Sequence, residues 1–124
     1  MQALVVDDSK AMRTILTRIV TECGYDEVFD AGDGLEAFEL VRAGLHPTLV
    51  LADCNMPEMN GIEFVAALRS LPGYSDVTVV MVTTETSLER VEMALEAGAD
   101  EYVMKPFTKD VLLSKLALVG AVVV

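Results

Sequence analysis

Positive charge is scarce in this chain. Nine lysine and arginine residues stand against twenty aspartate and glutamate residues, which gives a formal net charge of −11 at pH 7. Nucleic acids and anionic membrane surfaces attract proteins mainly through positive charge. We therefore expect no nucleic acid and no membrane among the direct partners.

Cysteine and histidine are scarce as well. The two cysteines, Cys23 and Cys54, are too few for the disulfide framework of a small secreted domain, which favours a reduced, cytoplasmic setting. The single histidine, His46, stands before Pro47 in a segment that reads as a loop. With no cluster of histidine or cysteine ligands, a zinc site is disfavoured.

Long apolar runs are missing too. The longest, Leu116 to Val124, is too short to cross a bilayer. Near the N-terminus the apolar run is interrupted by Asp7, Asp8 and Lys10, so no secretion signal is visible. We expect a cytoplasmic protein.

Hydrophobic residues nevertheless make up 52% of the 124 residues, enough for one domain with a sizeable core. Short apolar segments alternate with amphipathic ones that have helical periodicity. The segments predicted as strands are Ala3–Val6, Tyr25–Phe29, Leu49–Ala52, Val77–Val82 and Glu101–Met104. A helix is predicted after each strand, and capping-box spacing marks three helix starts, at Asp33–Glu36, Asn60–Glu63 and Thr86–Glu89. This alternation predicts an α/β fold with a doubly wound, five-stranded parallel sheet.

Charged and polar residues follow four of the predicted strands. Asp7 and Asp8 follow the first, Asp53 the third, Thr83 the fourth and Lys105 the fifth. The carboxyl ends of parallel strands share one edge of a sheet, so these side chains should meet there. Three neighbouring carboxylates repel by about 3 kcal/mol per pair at an effective dielectric constant of about 20. A cation must therefore compensate them, and oxygen ligands with room for water favour Mg²⁺.

The chemistry that suits this set is phosphoryl transfer to a carboxylate. Asp53 would attack the phosphorus, since carboxylates form acyl phosphates in several enzyme classes. The metal ion, the Lys105 ammonium and the Thr83 hydroxyl would stabilise charge on the phosphoryl oxygens.

Five short motifs, taken in their order along the chain, resemble those of a known family. The motifs are Asp7-Asp8, Asp53 with Met56-Pro57-Glu58-Met59-Asn60-Gly61, Thr83, Gly98-Ala99-Asp100-Glu101-Tyr102 and Lys105-Pro106-Phe107. Together they resemble the receiver domain of two-component response regulators over the whole chain. The resemblance implies a flavodoxin-like sheet of strand order 2-1-3-4-5, the order for which chemotaxis receivers are a known example. It also implies a single receiver domain over residues 1–124 with no output domain.

The resemblance further implies roles for individual residues. Asp53 would accept a phosphoryl group from the phosphohistidine of a sensor kinase or a histidine phosphotransfer protein, with Lys105 and Thr83 contacting the group. Mg²⁺ (or Mn²⁺) would be held by Asp7, Asp8, Asp53 and the backbone carbonyl of Asn55. Thr83 and Tyr102 would form the switch, and Asn55 and Glu85 would tune autodephosphorylation.

Such a protein is a signalling switch and not an enzyme, although it promotes its own phosphorylation and dephosphorylation. Phosphorylation would change the face formed by the fourth helix, fifth strand and fifth helix, and an unidentified downstream protein would bind there. The resemblance implies a stand-alone regulator of chemotaxis or motility, or a phosphorelay shuttle. The stretch Thr86–Arg90 is less basic than expected of a protein that binds the flagellar motor, so both roles stay open.

Three other functions fit these residues less well. An aspartyl-phosphate phosphatase would need a second aspartate as general acid, but that position holds Asn55. A flavin or nucleotide protein of the same fold would need a phosphate-cradling loop where Asp7-Asp8-Ser9 stands. A pseudo-receiver would act by interaction alone, yet no residue needed for phosphorylation is missing.

The last helix and the tail are unusually apolar. Val111, Leu112, Leu113, Leu116, Leu118 and Val119 leave little polar surface, and the chain ends in three valines. Either the tail folds back on the core of its own chain, or the last helix forms a homodimer or binds a target.

Overall fold

A computed structural model describes all residues, Met1–Val124, and contains five strands that alternate with five helices. The elements are β1 (Gln2–Val6), α1 (Lys10–Glu22), β2 (Glu27–Ala31), α2 (Gly34–Arg42), β3 (Leu49–Ala52), α3 (Gly61–Ser70), β4 (Thr78–Thr83), α4 (Leu88–Ala97), β5 (Glu101–Met104) and α5 (Lys109–Leu118). No helix has both the length and the apolar character that crossing a membrane requires.

The five strands form one parallel sheet in the order β2-β1-β3-β4-β5, which confirms the predicted fold. The three inner strands are nearly all buried, because helices cover both faces of the sheet. This double cover explains why these strands read as continuous apolar runs and do not alternate.

Two hydrophobic cores lie on opposite faces of the sheet. On one face, Leu4 and Val50 pack among residues of α2, α3 and α4 such as Phe64. On the other face, Val5 and Leu51 pack among residues of α1 and α5. Successive residues along a strand thus pack into opposite cores, and the sheet is held between these two cores.

Several predicted boundaries are shifted by one or two residues, and the fourth strand, for example, runs from Thr78 to Thr83 and not from Val77 to Val82. The second strand runs from Glu27 to Ala31, not from Tyr25 to Phe29, because its register pairs Gln2 with Glu27 and Val6 with Ala31. Tyr25 misled the prediction, since it is buried in the core while preceding the strand. The fourth helix is capped by Ser87, one residue later than predicted, and the Ser87 hydroxyl accepts from the Arg90 amide.

The C-terminal tail folds back onto its own chain. Ala121 is buried, and the amides of Val123 and Val124 both donate to the carbonyl of Cys23 at the end of α1. Gly24, at φ +108, leaves room for this contact, since a Cβ there would lie 2.9 Å from a Val124 methyl group. The tail therefore closes the core formed by α1 and α5.

Candidate functional site

Buried charge is concentrated at the carboxyl edge of the sheet. Asp7, Asp53 and Thr83 are the three buried polar residues of the chain, and all three end strands or directly follow them. The Lys105 Nζ lies 2.6 Å from Asp7 Oδ2 and 2.9 Å from Asp53 Oδ2. Residues predicted from strand ends are therefore in direct contact.

Backbone bonds hold the two buried carboxylates in place. The Asp53 amide donates to the carbonyl of Val6, and the Asp7 amide donates to the carbonyl of Ala31, so both aspartates extend the ladder between strands. Each carboxylate also accepts the amide two residues later, from Ser9 at 2.9 Å and from Asn55 at 3.1 Å. These local turns orient the remaining oxygen of each aspartate toward Lys105.

Lys105 is the cation of this cluster, and its side chain is 11% exposed. Burial by itself lowers the pKa of the ammonium, but the hydrogen bonds and charges of Asp7 and Asp53 outweigh it and leave the pKa raised. The lysine is therefore held as a cation between two anions.

The cluster fits a divalent cation. Carboxylate oxygens of Asp7, Asp8 and Asp53 lie within 4.8 Å of one another, and Asp8 is exposed to solvent. Three carboxylates outnumber the single ammonium of Lys105, so negative charge remains to be balanced. An all-oxygen set that is open to water suits Mg²⁺ better than Zn²⁺.

A glycine allows the loop after Asp53 to close over the strand. At Gly61, the first residue of α3, a Cβ would lie 1.9 Å from the carbonyl oxygen of Asp53. The Gly61 amide donates to the Cys54 carbonyl, and Asn60 caps the helix in a complete capping box with Glu63. The motif Asn60-Gly61 thus packs the start of α3 against the backbone of Asp53.

Thr83, Glu85 and Tyr102 form a second group beside the first. The Thr83 hydroxyl accepts the amide of Glu85 at 3.1 Å, and the Tyr102 hydroxyl donates to the carbonyl of Glu85. Burial, followed by the nearby Cys54 and Glu85, raises the pKa of the Tyr102 phenol. The amide of Lys105 donates to the carbonyl of Thr83 at 2.8 Å, so the two groups share one stretch of backbone.

The carboxylate of Glu85 is also held. It accepts the Ser87 amide at 3.1 Å and the Arg90 Nε at 3.2 Å. The Ser87 amide, the Asn55 side chain and Arg90 outweigh burial and lower the pKa of Glu85. The start of α4 therefore holds the Glu85 carboxylate through Ser87 and Arg90.

The structure brings the predicted site residues close together and adds Arg90, which the sequence analysis does not assign to the site. The position of this arginine in the first turn of α4 becomes visible once the helix cap is placed at Ser87 and not at Thr86. The predicted roles of the site residues stay predictions, because the geometry shows their proximity and not their chemistry.

Comparison with known proteins gives consistent matches. The family model described as the response regulator receiver domain matches residues 3–117. The chemotaxis protein CheY homolog of Campylobacter jejuni is 44% identical over 116 residues, covering 94% of this chain and 89% of that protein. CheY1 of Helicobacter pylori is 41% identical over 119 residues, covering 96% of each. The solved structure of Vibrio cholerae CheY4 has a TM-score of 0.86 at 36% identity, covering 95% of this chain and 97% of that one.

Proposed function

Because this chain belongs to the response regulator receiver domain family, we propose that it is a phosphoacceptor switch of two-component signalling, with Asp53 as the acceptor. Receiver domains of the CheY type are signalling proteins and not classical enzymes. The observation that carries the proposal is the buried Asp53 carboxylate, 2.9 Å from the Lys105 ammonium and beside Asp7 and Asp8.

The proposed reaction is a displacement at phosphorus. A carboxylate oxygen of Asp53 forms the new bond to phosphorus as the bond from phosphorus to a histidine nitrogen of the donor breaks. The imidazole nitrogen leaves with the electron pair. A carboxylate nucleophile has no proton to lose, so the step needs no general base. Lys105 is placed to neutralise charge on the phosphoryl oxygens.

Asp7, Asp8 and Asp53, with the backbone carbonyl of Asn55, are the residues that would hold Mg²⁺ (or Mn²⁺). The bound ion supplies positive charge to the phosphoryl oxygens during transfer. The chain itself contributes the geometry, since turns at Ser9 and Asn55 fix the two buried carboxylates.

The switch in this proposal passes through Glu85. The Thr83 hydroxyl accepts from the Glu85 amide and so keeps its own proton available for a phosphoryl oxygen. Movement of Thr83 toward that oxygen would shift Glu85, whose carbonyl accepts the Tyr102 hydroxyl. The phosphoryl group thereby biases the face made by α4, β5 and α5, where a downstream protein binds.

Asn55 and Glu85 are proposed to set how fast the acyl phosphate is hydrolysed. The Asn55 amide donates to Asp53 Oδ1, and the Glu85 amide donates to the hydroxyl of Thr83 at the same edge of the sheet, which supports a role for both residues near the path of a hydrolytic water. The domain would in this way promote its own phosphorylation and dephosphorylation.

The pathway we propose is chemotaxis or motility. The Campylobacter jejuni and Helicobacter pylori relatives carry chemotaxis names, and each matches nearly the whole of this chain. The partners would be a sensor kinase or histidine phosphotransfer protein and one downstream protein, with residues 1–124 acting as a receiver domain in the cytoplasm. A phosphorelay shuttle is the alternative role.

A homodimer through α5 is a further part of the proposal. Val111 and Leu118 are exposed on this helix, while Leu112 and Leu116 are buried. Light scattering with and without phosphorylation, on wild type and Leu118→Ser, tests it. A monomer under every condition would contradict the dimer.

Intact-protein mass spectrometry after incubation with acetyl phosphate tests the main proposal. We expect one phosphoryl group to be added in Mg²⁺, none in EDTA and none in Asp53→Asn. The exposed Asp110→Asn is the matched control and should behave as wild type. No gain in folded wild type with Mg²⁺ would contradict the proposal and favour a pseudo-receiver.

A further inference from the structure

Arg90, in the first turn of α4, forms an ion pair with Glu85. Its Nε lies 3.2 Å from Glu85 Oε1, and the two side chains are 33% and 17% exposed, so the pair is largely covered. The other carboxylate oxygen of Glu85 accepts the amide of Ser87, the N-cap of α4. Arg90 and the helix cap together hold this carboxylate in one position.

That position is close to the acceptor. The Glu85 amide donates to the hydroxyl of Thr83, the last residue of β4, at 3.1 Å. Strand β4 pairs with β3, which Asp53 directly follows, so Glu85 stands at the same edge of the sheet as the carboxylate that would receive the phosphoryl group.

Negative charge is already in excess at this edge. Asp7 and Asp53 share the ammonium of Lys105, and the Asp8 carboxylate lies within 4.8 Å of both. A fourth carboxylate without a partner would repel an anionic phosphoryl donor, and partial burial strengthens such repulsion relative to water. The guanidinium of Arg90 supplies the missing compensation.

We propose that Arg90 is a positioning residue for phosphoryl transfer. It pins and neutralises the Glu85 carboxylate beside Asp53, so that an anionic donor meets less negative charge at the site. The inference rests on the proposed function, since it presumes that Asp53 accepts a phosphoryl group.

The test is the initial rate of phosphorylation by acetyl phosphate with Mg²⁺, followed by intact mass at times too short for hydrolysis. We expect Arg90→Met to react about fivefold more slowly than wild type at low salt. Added NaCl should narrow this difference, because salt screens partly exposed charges. Arg90→Gln serves as a second neutral variant, and Arg90→Lys should restore most of the rate.

The double variant Arg90→Met with Glu85→Gln separates charge from structure. If the unpaired carboxylate causes the loss, removing its charge should bring the rate of the double variant back above that of Arg90→Met. The matched control is Arg42→Met, which removes the same charge from an exposed site on α2 and should react as wild type.

Equal rates in wild type and the neutral Arg90 variants would overturn this inference alone. A loss that neither salt nor Glu85→Gln reverses would also overturn it, because such a loss reflects a purely structural role. Wild type that gains no phosphoryl group would overturn the proposed function and this inference with it.

Discussion

The two edges of the sheet use charge in opposite ways. At the carboxyl edge, Lys105 sits between Asp7 and Asp53 with all three side chains nearly covered. At the amino edge, the N-terminal ammonium of Met1 pairs with Asp26 at 2.7 Å, and these groups are 50% and 80% exposed. At both edges opposite charges lie close together, but those at the carboxyl edge are buried and those at the amino edge are exposed to water.

This difference in burial indicates which charges depend on the tertiary structure. An exposed pair gains little from its Coulomb attraction and can be replaced at small cost. A buried cluster has lost its hydration, so each member depends on the others and on the strands that hold them. The carboxyl edge therefore keeps charges that only tertiary structure can maintain, and that is where the proposed chemistry lies.

The largest expected effect comes from removing the buried cation. Lys105→Met leaves Asp7 and Asp53 facing each other and should lower the free energy of unfolding by about 3–5 kcal/mol. The matched control is Lys115→Met, whose ammonium pairs with Glu101 in a more open position and should cost less than about 1 kcal/mol. Urea unfolding in EDTA measures the free energy of unfolding of both variants. Equal losses would contradict the expected difference between buried and exposed charge pairs.

The next effect concerns packing at the same edge. Gly61→Ala should destabilise by about 3 kcal/mol, because the new Cβ would overlap the Asp53 carbonyl, which is backbone and cannot turn away. Gly73→Ala is the control, since no atom lies within 4 Å of its Cβ and the cost of about 1 kcal/mol comes from its φ of +86. Thermal unfolding of both variants measures how much each substitution destabilises the protein. A loss of stability in Gly61→Ala that is equal to or smaller than the loss in Gly73→Ala would contradict this prediction.

A metal ion should stabilise the carboxyl edge selectively. At a hundredfold excess over its dissociation constant, Mg²⁺ should add about 2.7 kcal/mol to the free energy of unfolding of wild type. Asp8→Asn removes the exposed ligand of the cluster and should lose most of this gain, whereas Asp110→Asn should keep it. Melting curves with and without Mg²⁺ measure the shift, and an equal shift in both variants would place the ion elsewhere.

The smallest effect is expected at the amino edge. The hydrogen bond and charge of the N-terminal ammonium lower the pKa of Asp26, so any stabilisation is present at neutral pH and fades as the pH falls through the folded-state pKa. Because the pair is so exposed, Asp26→Asn should leave the urea midpoint at neutral pH unchanged. A clear drop in the urea midpoint would mean that the charge pairs at the two edges differ less in their contribution to stability than their burial suggests.

Much of the fold follows from local patterns. The apolar run Leu49–Ala52 and the complete cap Asn60–Glu63 appear where the sequence places them, since strand and helix signals depend on neighbouring residues. The second strand was placed two residues too early because Tyr25 is buried without belonging to it. The strand order came from the family resemblance, because periodicity alone does not say which strands are neighbours.

Local sequence patterns are enough to predict the alternation of strands and helices and the charged or polar residues at the strand ends. Which of these residues touch depends on the assembled fold. Lys105 reaches Asp7 across 98 residues and Asp53 across 52. Arg90 meets Glu85 because α4 starts between them at the Ser87 cap. Local periodicity reports which side of an element is buried, whereas the balance of charge at the site depends on contacts that form only when the whole sheet has assembled.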